Sequence, residues 1–155
     1  MKKLLLFMTL IVMAVSVKAQ QQGDMSVGTS VGYGFGNKSM YWGIDYNYSI
    51  TDAFRIAPSF TYQFKNHGRS AAMIDANAQY LIPLTEMVGF YPLAGLSLSF
   101  WDLPLDINKT RFGVNLGLGA EIYASDIISV GVEVKYNFIK SFDQVMAGVR
   151  LAYRF

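Results

Sequence analysis

The sequence predicts an all-β chain: an eight-stranded antiparallel up-and-down transmembrane β-barrel, preceded by a cleavable signal peptide. Three observations predict it. Side-chain character alternates with a period of two through eight successive segments, as it does in strands whose two faces meet different surroundings. Each segment runs roughly 10 to 12 residues, whereas a soluble strand averages about 5 to 6 and a tilted membrane strand needs about 9 to 11. Finally, one parity is bulky and apolar and the other small and polar. An eight-stranded ring has little interior room, so the bulky parity faces outward.

The chain opens M-K-K-L-L-L-F-M-T-L-I-V-M-A-V-S-V-K-A-Q. A basic start, an apolar run from Leu4 to Val15, and Val17 and Ala19 at the −3 and −1 positions predict a signal peptide over residues 1–19, cleaved after Ala19. The 12-residue run is too short to span about 30 Å of hydrocarbon. Residues 20–155 then form the barrel.

The apolar parity begins with Met25, Val27, Thr29, Val31, Tyr33 and Phe35, then Trp42, Ile44, Tyr46, Tyr48 and Ile50. It continues through Phe54 to Phe64, Ala72 to Ile82, Phe90 to Phe100, Phe112 to Ile122 and Ile128 to Phe138, and closes with Val145, Ala147, Val149, Leu151, Tyr153 and Phe155. None of these positions is charged. The opposite parity is rich in Gly, Ser and Asn and carries every charge within the strands: Asp45, Arg55, Asp75, Glu121, Glu133, Lys135, Arg150 and Arg154, four of each sign. Inside a narrow barrel such charges are expected to pair into a network, because an isolated buried charge is costly. The expected consequence is a plug more than a pore, with a proton or ion path as the alternative. Pro58 and Pro92 lie within strands, where each removes a ladder hydrogen bond, so local bulges are expected there.

Aromatics gather at strand ends. Tyr33, Phe35, Trp42, Phe64, Phe100, Trp101, Phe112 and Phe138 are expected at one rim, and Tyr48, Phe54, Tyr80, Phe90, Tyr153 and Phe155 at the other, the depth at which amphipathic rings sit in a bilayer.

Composition excludes several classes. The 155 residues are 52% hydrophobic and 15% charged, with no cysteine, which rules out disulfides, thiolate metal sites and cysteine nucleophiles. Of 13 basic residues, Lys2, Lys3 and Lys18 leave with the signal peptide; the remaining 10 against 11 acids give a mature charge of −1, with no indication of nucleic acid. No cofactor or metal site is expected, because ligands lack usable spacing. His67 is the only histidine, in K-N-H-G-R-S. With Ser70 it is the one conceivable nucleophile–base pair, but the two are not spaced two apart on a strand as in lipid-hydrolysing barrels. No enzyme activity is expected; a lipid-active outer-membrane enzyme is the weakest reading.

The alternating strands, the signal peptide and the terminal Tyr-Arg-Phe resemble the small outer-membrane barrels of the OmpA transmembrane-domain and OmpX type, including the outer membrane protein beta-barrel or porin-family proteins of Bacteroidota. The resemblance covers the whole mature chain, but only its end is motif-like: Gly148, Leu151, Tyr153 and Phe155 look like the family's assembly signal. It implies the outer membrane of a Gram-negative bacterium, a monomer, and, as partners, outer-membrane lipid and lipopolysaccharide, the assembly machinery and periplasmic chaperones. A peptidoglycan-binding role is not expected, since no residues remain for that domain. It also places both termini in the periplasm. The outer loops are then Gly36 to Ser39, Lys65 to Ser70, Asp102 to Arg111 and Ile139 to Asp143, and the periplasmic turns Thr51 to Ala53, Pro83 to Gly89 and Ala124 to Ile127. The outer loops carry Lys38, Lys65, Arg69, Lys109, Arg111 and Lys140 against Asp102, Asp106 and Asp143. Lys65, Arg69, Lys109 and Arg111 are candidate contacts for lipopolysaccharide phosphate. The expected function is a non-catalytic envelope protein, structural or surface-interacting, with a narrow porin-like conductance pathway for ions or small solutes as the alternative.

Overall fold

The computed structural model describes residues 2–4, 23–125, 127–139 and 143–155, with only the backbone of residue 106. Apart from residues 2–4, the expected signal peptide lies outside the described residues, as do Asp126 and Lys140.

Eight long strands run up and down: β1 (Met25–Gly34), β2 (Ser39–Ser49), β3 (Phe54–Asn66), β4 (Arg69–Tyr80), β5 (Val88–Leu103), β6 (Ile107–Tyr123), β7 (Ile128–Ile139) and β8 (Gln144–Arg154). Each pairs antiparallel with its sequence neighbours, and β1 pairs with β8 from Ser26↔Arg154 to Gly34↔Met146. The sheet is therefore a closed barrel with no free side, and the Phe155 amide donates to the Met25 carbonyl at 3.0 Å. The alternation read from the sequence is the alternation of the barrel wall. Val31, Ile44, Leu96, Leu118, Val132 and Leu151 are about half exposed on the outside, whereas Asn47, Arg55, Asp75, Asn115, Glu121 and Asn137 are buried within. In lipid every backbone polar group needs an internal partner, and closure supplies one.

The ends of the strands depart from expectation. Asn66 and Arg69 pair directly, so the second outer loop is the two-residue turn His67–Gly68, with φ of 50° and 80°. Two positive φ values match the twist of a tight hairpin, and Gly68 adopts them without a Cβ penalty. The expected ten-residue loop from Asp102 to Arg111 is mostly strand: β5 and β6 extend to Leu103 and from Ile107, joined by the 3-10 turn Pro104–Asp106. At the other end the three turns share one construction. Thr51, Thr85 and Ser125 each accept hydrogen bonds through the hydroxyl from the amides two and three residues on, at 2.9 to 3.3 Å. The segments T-D-A-F, T-E-M-V and S-D-I-I repeat the same order of hydroxyl, acid, any residue and apolar residue, a turn chemistry with a known mechanism.

Neither proline makes a bulge. The β2–β3 register is the same at Asp45↔Ser59 and Tyr48↔Ile56, and the β4–β5 register is the same at Gln79↔Leu93 and Ile82↔Phe90. In between, the ladder is interrupted without slipping. An antiparallel residue donates to one neighbour only, so Pro58 leaves just the Tyr46 carbonyl of β2 without a ladder donor. The Asn47 amide fills that place. Oriented so that both its ends find partners, it donates to the Tyr46 carbonyl at 3.3 Å and accepts from Arg150 Nη2 at 2.8 Å. Pro92 likewise interrupts the ladder opposite Tyr80 and Leu81, and β4 resumes as the pair Ile82–Pro83. The one register shift in the β3–β4 pairing lies between Gln63 and Asn66.

Candidate functional site

The lumen is filled in layers, and glycines make the room. Arg150 on β8 lies across Gly28 of β1, where an added Cβ would come within 2.7 Å of its guanidinium. It reaches Asp45 of β2 through Nε at 2.9 Å and Nη2 at 2.5 Å. Lys135 of β7 meets Asp75 of β4 at 2.6 Å. Arg55 of β3 meets Glu121 of β6 at 3.1 Å, while Arg55 Nε donates to Gln79 at 2.6 Å. None of the three ion pairs joins adjacent strands, so each bridges the interior. Arg150 Nη1 also stands 3.8 Å from Glu121, which links two of the pairs into one chain of alternating charge. Glu133 accepts from the Tyr91 hydroxyl at 2.8 Å. Arg154, expected to pair with Asp45, Asp75, Glu121 or Glu133, instead meets Asp24 at 3.5 Å and packs over the Tyr123 ring. It is the last residue of β8, paired with Ser26 and four positions beyond Arg150.

An amide chain crosses the same interior. Asn137 donates to Asn115, and Asn115 donates to Asn77 at 3.0 Å. The last two are on β6 and β4 and bond over Gly95 of the strand between them, which pairs with both. Any Cβ there would stand 2.4 Å from the Asn77 oxygen.

The lumen is less polar than its parity suggested. Trp101, expected at the lipid rim, is 3% exposed and lies inside. Phe100 and Trp101 are consecutive, so only one can face lipid, and Phe100 takes that side. The Trp101 Nε1 donates to Ser99 Oγ at 3.0 Å. Trp101 packs with Tyr41, Ala71, Met73 and Met146 toward the outer end, while Leu81, Tyr91 and Leu93 form a smaller cluster elsewhere. Tyr41 lies over Gly32 and Gly148, and Tyr91 over Gly119. The wide spacing of lone Tyr and Met residues on a Gly-rich parity was the available signal for these layers. A cavity of about 50 Å³ remains among Asp45, Asn47, Glu133, Lys135 and Arg150, with Tyr41 and Met146 also in its lining.

The candidate phosphate contacts do not share a face. Phe64 and Lys65 together oppose the single Ser70 at the register shift, which turns Lys65 toward the side of Phe64 and lipid. Arg69, Lys109 and Arg111 fall on the parity of Ala71 and Gly113, at the mouth of the lumen; Lys109 pairs with Trp101 and Arg111 with Ser99. The candidate assembly residues also divide. Leu151, Tyr153 and Phe155 are 51%, 52% and 63% exposed on the outside, whereas Gly148 faces inward, where an added Cβ would sit 2.2 Å from the Tyr41 hydroxyl.

A family model described as the outer membrane protein beta-barrel domain matches residues 6–155. The chain belongs to that family. This outer membrane barrel accordingly resides in the outer membrane of a Gram-negative bacterium. Its fold is similar to the N-terminal β-barrel domain of Pseudomonas aeruginosa OprF, with a TM-score of 0.72 at 17% identity over 88% of this chain and 100% of that one. It is also similar to Ail, the attachment invasion locus protein of Yersinia pestis, with a TM-score of 0.62 at 15% identity over 87% of this chain and 100% of that one. The outer membrane enzyme PagL shares the fold more distantly, with a TM-score of 0.51 at 14% identity over 84% of this chain and 98% of that one. No curated protein sequence matches. At such identities the likeness is one of fold, and the fold serves both an attachment protein and an enzyme.

Proposed function

We propose that this outer membrane barrel is a non-catalytic envelope protein with a plugged interior. The observation that supports it is the pairing of the lumen charges: Arg55, Lys135 and Arg150 each meet a carboxylate across the interior at 2.5 to 3.1 Å. An eight-stranded barrel is about as wide as its side chains fill, and opening a pair would leave an uncompensated buried charge. Purified protein in planar bilayers is expected to show no single-channel steps; clear steps would sink the plug. The second reading, a narrow conductance pathway, draws on the cavity of about 50 Å³ beside the Asp45–Arg150 pair. That is room for a few waters at roughly 10–15 Å³ each.

The absence of catalysis is supported by the place of the one histidine. His67 is exposed at the tip of a two-residue turn, whereas Ser70 is buried. Among the described residues the two share no hydrogen bond.

We further propose two partners. Lys65 lies on the lipid side of the outer rim, and its ammonium suits a lipopolysaccharide phosphate. Lys65→Ala is expected to lower lipopolysaccharide co-purification more than Lys109→Ala does, and equal retention by both variants would contradict this. Leu151, Tyr153 and Phe155 present a continuous apolar edge for the assembly machinery, with the periplasmic chaperones as carriers. Phe155→Ser is expected to reduce outer-membrane levels severalfold while refolding in vitro stays near wild type. Normal levels would remove the signal reading.

A further inference from the structure

We propose that the apolar layer of Tyr41, Met73, Trp101 and Met146 is a hydrophobic gate, and that this layer, rather than the ion pairs beneath it, closes the lumen to ions. The proposal rests on the plugged reading above and names the part of the plug that does the closing.

The layer spans the barrel. Its residues come from β2, β4, β5 and β8, and they form one packed cluster with Ala71. In a ring of eight strands β4 and β8 are diametrically opposite, so a cluster that holds both Met73 and Met146 reaches from one wall of the barrel to the other. Met73, Met146 and Trp101 are 0%, 2% and 3% exposed. The layer contains no charged group, and the indole N–H is satisfied by Ser99 at 3.0 Å. Apart from the Tyr41 hydroxyl it offers a passing ion no group to replace its water shell, and an apolar constriction of this kind excludes water and with it the ion.

The charged layer beneath is a poorer seal. The cavity of about 50 Å³ lies among Asp45, Asn47, Lys135 and Arg150, and Tyr41 and Met146 also line it. The ion pairs therefore leave space that water can occupy, and the apolar layer borders that space. Two further features make the layer a gate more than a wall. Methionine side chains are flexible and can swing aside without breaking a hydrogen bond. Tyr41 depends on the bare backbone of Gly32 and Gly148, where a Cβ would stand 2.6 and 2.2 Å from its ring and hydroxyl.

The test uses the full-length protein in planar bilayers, with the folded state of every variant checked by circular dichroism. One variant empties the layer, Met73→Ala with Trp101→Ala. A second wets it without emptying it, Met73→Gln with Met146→Gln, and keeps the test open should the first fail to fold. A third neutralises the ion pair below, Asp45→Asn with Arg150→Gln. The expected result is a silent wild type, a silent ion-pair variant, and about tenfold or more ion current through the layer variants. A silent wild type with folded layer variants that are also silent overturns the gate and leaves the plug standing. Current through the ion-pair variant alone likewise overturns the gate, since the charges would then be the seal. A conducting wild type overturns the plug itself, and with it this proposal.

Discussion

Glu121→Leu is expected to destabilise the barrel by about 3–5 kcal/mol, the loss typical when one member of a buried ion pair is removed. Glu121 is 2% exposed and serves three partners: Arg55 at 3.1 Å, Arg150 at 3.8 Å and the Tyr123 hydroxyl at 2.7 Å. Leucine would keep the volume and strand the Arg55 guanidinium. Arg150 retains Asp45, but Arg55 would keep only Gln79 and the Tyr91 ring, at 2.6 and 5.1 Å. Removing both charges, with Arg55→Met added to Glu121→Leu, should recover most of the loss, since an apolar pair of similar volume is often no less stable than the ion pair. Urea unfolding in lipid vesicles, followed by tryptophan fluorescence, measures both variants. A single variant within about 1 kcal/mol of wild type would contradict the shared role given to Glu121.

Gly119→Val is expected to cost about 1–3 kcal/mol or more through overpacking. A Cβ on Gly119 would stand 2.2 Å from Tyr91 Cζ and 2.5 Å from its hydroxyl oxygen. The ring is held in place: its hydroxyl donates to Glu133 at 2.8 Å and Arg55 packs on its face. The three atoms nearest that Cβ all belong to Tyr91, so Tyr91→Ala should relieve the clash. The same unfolding measurement on the double variant decides it. If valine costs as much without the ring as with it, the strain arises in the backbone and the glycine–tyrosine pairing is wrong. Gly32 makes the contrast, because its added Cβ would meet the Ala147 carbonyl oxygen at 2.2 Å as well as the Tyr41 ring; backbone does not step aside, and no ring deletion should rescue it.

What the sequence alone determined was which way most strand residues point. A period of two is a local property of extended chain, so Asp45, Arg55, Asp75, Glu121, Glu133, Lys135 and Arg150 could be assigned to the interior without coordinates. The count of eight strands and the membrane setting followed from the same pattern. The turn segments T-D-A-F, T-E-M-V and S-D-I-I were equally local, since each hydroxyl binds amides two and three residues away. Local reasoning failed at Trp101, where two adjacent rings competed for one outward position, and at the outer loops, where strand pairing continued to a two-residue turn. The prolines misled for a related reason. Each loses a single bond on one side, and at Pro58 a side chain from the neighbouring strand supplies a donor, so no slip is needed.

Tertiary structure alone decided which acid meets which base. The paired residues are 60, 66 and 105 positions apart in the chain, and their meeting depends on the stagger with which eight strands close into a ring. Parity places a charge inside the barrel but does not set its height. That height also separates the layer of ion pairs from the apolar layer of Tyr41, Met73, Trp101 and Met146, whose members come from four strands and touch only because the interior is narrow enough for opposite walls to pack.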